Sequence, residues 1–97
     1  MIDISTEHLE SVKSILHKHV PSVSVWAFGS RVEGAAGKYS DLDLVIISKD
    51  EIPDETISAL KEDFSESEIP FRVDVLDWSR ISEEFRGAIK KNHEVVL

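Results

Sequence analysis

Ninety-seven residues, 41% of them hydrophobic and 31% charged, have the make-up of one ordinary globular domain with a modest core. Cysteine is absent, which excludes a disulfide framework and a thiolate metal site. The net charge of −8 is concentrated in residues 50–77, where ten acids meet two bases, while residues 1–49 and 78–97 carry −1 and +1. An acidic chain without a basic stripe is ill suited to nucleic acid, because phosphate neutralisation supplies most of that affinity, and a template-reading polymerase is disfavoured. The N-terminus lacks a basic and apolar leader, and no apolar run nears the ~20 residues of a membrane span. The expectation is a single cytoplasmic domain over residues 1–97, with no membrane and no nucleic acid as partner.

In chain order, Leu9, Val12, Leu16 and His19 recur at three- and four-residue steps, predicting an amphipathic helix over 5–19 capped by Ser5 or Thr6. Residues 23–28 are rich in β-branched and aromatic types and read as a strand, broken by Gly29-Ser30. A short helical turn from Arg31 to Ala35 follows, and Gly34 and Gly37 mark a loop. Leu42 to Ser48 is apolar on both faces after its opening, as suits a central strand. Pro53 opens a helix whose buried stripe is Ile57, Leu60 and Phe64, with acids on its other faces. Phe71, Val73 and Val75 alternate with Arg72, Asp74 and Leu76 in a further strand. Ser79 is the expected cap of a last helix with Ile81, Phe85 and Ile89 inward; Glu94 to Leu97 is a short extended tail. The order implies an α/β domain, a small sheet covered by helices.

The residues with the clearest chemistry are Gly29-Ser30-Arg31 and Asp41-Leu42-Asp43. Gly29 lets backbone approach a ligand closely. Ser30 offers a hydroxyl at the start of a helical turn, whose free N–H groups suit an anion. Arg31 carries a permanent charge matched to phosphate oxygens. Asp41 and Asp43 lie two apart on a strand, so their carboxylates share a face while Leu42 and Leu44 enter the core. Their mutual repulsion is relieved by Mg²⁺, which also bridges to substrate phosphates. Asp74 leaves the core by its parity, and joins them if its strand neighbours Leu42–Ser48. Two metals about 3.5–4 Å apart then serve an in-line displacement, with Asp74 at the attacking hydroxyl.

Gly29-Ser30, ten intervening residues, Asp41-Leu42-Asp43 and a later Asp74 resemble the nucleotidyltransferase signature G-S-x10-D-x-D. Phe28 and the run Asp43-Leu44-Val45-Ile46-Ile47 are similar to that family too. By size the chain resembles the minimal nucleotidyltransferases of the polymerase-β superfamily, the MntA-type antitoxins paired with HEPN-domain toxins. The resemblance implies a small mixed β-sheet flanked by helices and transfer of AMP from ATP to a tyrosine of the toxin. It also implies two Mg²⁺ ions held by Asp41, Asp43 and Asp74, with Gly29, Ser30 and Arg31 at the nucleotide. Larger relatives add a domain for the acceptor or base; here a partner chain is expected to supply the acceptor.

Plainer readings stand beside these. Lys38 to Asp41 can be turn chemistry, Asp74 an exposed strand residue, Ser30 a simple cap, and Arg31 and Lys38 solvated charges. Asp77 is expected to help start the last helix, Trp26 to be core, and His8, His17, His19 and His93 to be surface or boundary residues. A small-molecule acceptor, or neutralisation of a partner by binding alone, are the rival functions.

Overall fold

The computed structural model describes residues 2–37 and 39–97, which leaves Lys38 outside the described residues. Helix α1 spans Thr6–His19, strand β1 Ser24–Phe28, helix α2 Ser30–Glu33, strand β2 Leu42–Ile47 and helix α3 Asp54–Glu66. Strand β3 (Val73–Asp77) leads through a 3-10 turn, Trp78–Arg80, into helix α4 (Glu83–Lys91) and strand β4 (Glu94–Val95). The four strands form one mixed sheet in the order β3-β2-β1-β4. β1 pairs antiparallel with β2 and with β4, whereas β2 and β3 run parallel.

Parity divides the sheet into two faces. Val25 and Ala27 of β1, Leu42, Leu44 and Ile46 of β2, and Val73 and Val75 of β3 are buried against Val12 and Leu16 of α1 and Leu60 and Phe64 of α3. Burying each large aliphatic side chain contributes roughly 1.5–3 kcal/mol. The second face carries Trp26, Phe28, Asp43, Val45, Ile47 and Asp74, and α4 lies over part of it. The ring of Phe85 meets Phe28 edge-on at 5.7 Å, and His93 stacks on Trp26 at 4.0 Å. Trp26 is thus half-buried under a lid of ring contacts, with Trp78 edge-on at 5.5 Å.

The ends of the elements follow local chemistry. Ser5 caps α1, its Oγ accepting from the His8 N–H at 3.2 Å. Pro53 stands at the N-cap of α3, where its missing N–H costs nothing. The last helix begins later than its periodicity implies. Ser82 is its cap, accepting from the Phe85 N–H at 3.1 Å, and Ser79 lies in the preceding 3-10 turn. Phe85 is consequently 40% exposed, although Ile89 is buried as expected. The terminal tail is a strand: the Val96 N–H donates to the Val25 carbonyl at 2.8 Å, closing the sheet beside β1.

Asp77 is buried at the end of β3 and organises this region. Its Oδ2 accepts from the Ile52 N–H at 2.7 Å, and its Oδ1 accepts from the N–H and Oγ of Ser79 at 2.9 and 2.8 Å. Burial raises its pKa, but these hydrogen bonds and the Arg80 charge outweigh burial and hold it below the ordinary carboxylate range. A depressed folded value stabilises the fold above the unfolded value of about 3.9, and that stability is lost as pH falls through the folded value. Asp77→Ala is therefore expected to cost about 2–4 kcal/mol near neutrality, because the buried Ile52 N–H and the part-buried Ser79 N–H lose their acceptor. Urea unfolding across pH measures this, and the difference from wild type should shrink as pH falls below the unfolded value of about 3.9 and through the lower folded one.

Candidate active site

Three chain segments converge at one end of the second face. β1 ends at Phe28, which is paired with Asp43 across the antiparallel ladder. On the other side of β2, Asp43 is in register with Asp74 of β3. Two carboxylates are therefore side by side on adjacent strands, on the face that α1 and α3 do not cover. Asp41 lies one residue before β2 and is exposed. The parity reading of Asp43 and Asp74 holds, and β3 is the neighbour of β2.

Gly29 follows β1 with φ 80° and ψ −157°, a conformation open almost only to glycine. It faces Asp43 so closely that a Cβ there would run into Oδ2 of that carboxylate, with Cγ at 3.3 Å. The bend turns the chain into α2, where the N–H groups of Val32 and Glu33 both donate to the Gly29 carbonyl at 3.0 Å. Ser30 is the first residue of α2 and half-exposed. Gly34, in the left-handed conformation, ends that turn.

Arg31 is buried, at 5% exposure. Its Nε donates to the Ser40 carbonyl at 2.9 Å and an Nη to the Asp3 carbonyl at 2.7 Å, while the guanidinium lies 3.9 Å from the centre of the Phe71 ring. It thus fastens the approach to Asp41 onto the N-terminal segment and onto the residues leading into β3. The Ser40 hydroxyl in turn accepts from the Gly37 N–H at 2.8 Å, shaping the same loop.

Electrostatically the site is short of positive charge. Burial, followed by the charges of Asp74 and Asp41, pushes the Asp43 carboxyl above its ordinary range, with Arg72 opposing the shift. An Arg72 guanidinium nitrogen lies 3.0 Å from Oδ1 of Asp74, though the Arg72 side chain is 73% exposed and its effect is screened accordingly. Arg72 had no role in the sequence reading. Its signal was parity: two residues before Asp74 on the same strand, it leaves the core on the same side.

Clustered carboxylates that repel one another are the donor set a hard divalent cation requires. Among the described residues, no three His, Asp or Glu side chains already close on one point. Asp43 and Asp74 are adjacent, with Asp41 near enough to act on Asp43 by its charge. The residues therefore fit Mg²⁺, which takes one or two carboxylates together with water and substrate phosphates.

A mixed sheet thus sets a glycine bend against one carboxylate and a second carboxylate on the adjoining strand, an arrangement able to hold a divalent cation together with substrate phosphates. The chain belongs to the polymerase β nucleotidyltransferase family, whose model matches residues 10–97. Among curated proteins it is 54% identical over 95 residues to "Probable protein adenylyltransferase MntA" of Haemophilus influenzae, spanning 98% of this chain and 83% of that relative. A crystal structure of a toxin-antitoxin with AMP-PNP superimposes with a TM-score of 0.77 at 18% identity, over 92% of this chain and 72% of that one. A chain from the structure of tri-AMPylated Shewanella oneidensis HEPN toxin in complex with MNT antitoxin gives a TM-score of 0.72 at 16% identity, over 97% of this chain and 72% of that one. At such identities the solved structures establish the shared fold. Among the described residues no helix is long and apolar enough to cross a membrane.

Proposed function

We propose that this chain transfers AMP from ATP to a tyrosine hydroxyl of a HEPN-domain partner and so acts as the antitoxin of a toxin–antitoxin pair. The observation that carries the reading is the in-register pair Asp43 and Asp74, with Gly29 folded against Asp43 from the third side. The relative at 54% identity bears the name of a protein adenylyltransferase, and the structural neighbours include an antitoxin bound to an AMPylated HEPN toxin.

Asp41, Asp43 and Asp74 would hold two Mg²⁺ ions, which supply charge stabilisation for both the attacking and the leaving oxygen. Gly29 and Ser30 meet the triphosphate, and Arg31 keeps the approach to Asp41 in place through the Ser40 carbonyl. The tyrosine oxygen forms a bond to the α-phosphorus while the bond from that phosphorus to the bridging oxygen breaks, and pyrophosphate leaves. The hydroxyl proton passes to the Asp74 carboxylate. Ser30 binds phosphate and forms no covalent link. ATP is the nucleotide, and the chain's acidity disfavours a nucleic acid acceptor.

Parallel incubations with α-labelled and γ-labelled ATP test this. The α-label should appear on the partner's tyrosine, only with a divalent cation present, and the γ-label in pyrophosphate. Transfer of the γ-label to the partner, label retained on Ser30, or label on a small molecule or RNA in place of the partner would each contradict the proposal.

A further inference from the structure

The chain has one tyrosine, Tyr39, and none of the chemistry described above uses it. It stands two residues before Asp41, at the end of the sheet where Gly29, Asp43 and Asp74 meet. Its segment forms a closed turn: the Ser40 N–H donates to the Gly37 carbonyl at 3.2 Å, and the Gly37 N–H donates to the Ser40 Oγ at 2.8 Å. Arg31 fixes the base of the turn, its Nε donating to the Ser40 carbonyl at 2.9 Å. Tyr39 is 68% exposed on this turn, the most exposed large hydrophobic side chain among the described residues.

An exposed tyrosine on a projecting turn is the kind of acceptor that the proposed reaction requires. The segment around it also suits an acidic site. Residues 34–40 hold no acid and one base, whereas the charge of −8 lies in residues 50–77, which include Asp74. In-line attack needs the reacting atoms aligned at about 3–3.5 Å. A turn fastened at its base, with its ring largely in solvent and not over its own carboxylates, does not meet that demand within one copy. We propose that Tyr39 is itself an acceptor, adenylylated in the site of a second copy of this chain when no other partner fills that site. The Tyr39 oxygen forms a bond to the α-phosphorus of ATP while the bond from that phosphorus to the bridging oxygen breaks. Pyrophosphate leaves, and the phenolic proton passes to Asp74 of the catalysing copy. This activity rests on the tyrosine-acceptor reading above and extends it to the chain's own turn.

Intact mass after incubation of the chain alone with ATP and Mg²⁺ tests this. Wild type should gain AMP, mapped to Tyr39, and doubling the chain concentration should about double the fraction labelled in a given time. Tyr39→Phe should gain none, yet label the HEPN-domain partner at the wild-type rate. The decisive mixture pairs Tyr39→Phe, which has a working site and no acceptor, with Asp43→Asn, which has the acceptor and a disabled site. Asp43→Asn should gain AMP in the mixture and none alone. A wild-type chain that labels the partner but not itself, AMP on another residue, or loss of partner labelling by Tyr39→Phe would each overturn the assignment of Tyr39. Asp43→Asn left unlabelled in the mixture would overturn transfer between copies. Self-labelling beside an unlabelled partner would uphold Tyr39 and overturn the HEPN-domain partner. Failure to label either protein would overturn the tyrosine-acceptor reading, and this activity with it.

Discussion

Gly29→Ala is expected to abolish nucleotidyl transfer and to destabilise the fold as well. The backbone there has φ 80° and ψ −157°, and a methyl group on it meets Oδ2 of Asp43. The strained backbone alone costs of order 1–3 kcal/mol, and the midpoint of a domain this small falls by about 4–8 °C per kcal/mol. The clash adds a second effect, because the carboxylate that must yield is the central one of the site. Displacing it by an ångström is worth about a hundredfold in rate. Gly34→Ala is the control: Gly34 also has φ 80°, yet no neighbour lies within 4 Å of its would-be Cβ. It should lose roughly 1–2 kcal/mol of stability and keep its transfer rate. Thermal unfolding and transfer assays on both variants separate backbone strain from damage to Asp43. Near-wild-type transfer by Gly29→Ala would show that the glycine bend does not position the reacting groups.

Asp43→Asn should do the reverse to stability while removing activity. In the metal-free fold this carboxylate is disfavoured by burial and by the charges of Asp74 and Asp41, so its pKa is raised. The folded chain then holds that proton more tightly than the unfolded chain, and Asp43 opposes folding as pH rises through its folded value. An uncharged amide removes the opposition, and the metal-free midpoint near neutrality should equal or exceed that of wild type. The amide is a much poorer ligand for Mg²⁺, which binds carboxylates in preference, so transfer should fall by at least about a hundredfold. The stabilisation that wild type gains from Mn²⁺ and AMP-PNP should shrink with it. Loss of activity together with a marked fall in metal-free stability would make Asp43 a structural residue.

Much of this site is legible in the sequence because its signals are local. Parity along two strands puts Asp43 and Asp74 away from the core, and ten residues between Gly29-Ser30 and Asp41 bring the motif into range. The apolar run after Asp43 identifies β2 as central, which the sheet order bears out. What stayed hidden depends on distant partners. Nothing near Arg31 announces that its guanidinium will be buried between the carbonyls of Ser40 and Asp3 and the ring of Phe71. His19, on the boundary of α1, pairs with Asp63 of α3, 44 residues away, and that partner is invisible to periodicity. Glu94–Val95 is too short for strand alternation to register, and only pairing with β1 makes it a strand. Asp77 resembled the start of the last helix, yet it caps the 3-10 turn and holds Ile52, because Ser82 starts the helix instead.

The central claim is that this fold moves AMP onto a protein partner through its paired carboxylates. It is tested most directly by the intact mass of the proposed HEPN-domain partner after incubation with this chain, ATP and Mg²⁺. With the wild-type chain the partner should gain mass in whole multiples of AMP, on tyrosine. With Asp43→Asn, or with Mg²⁺ chelated, it should gain none. A partner of unchanged mass under wild-type conditions, or equal gains with Asp43→Asn, would contradict the account.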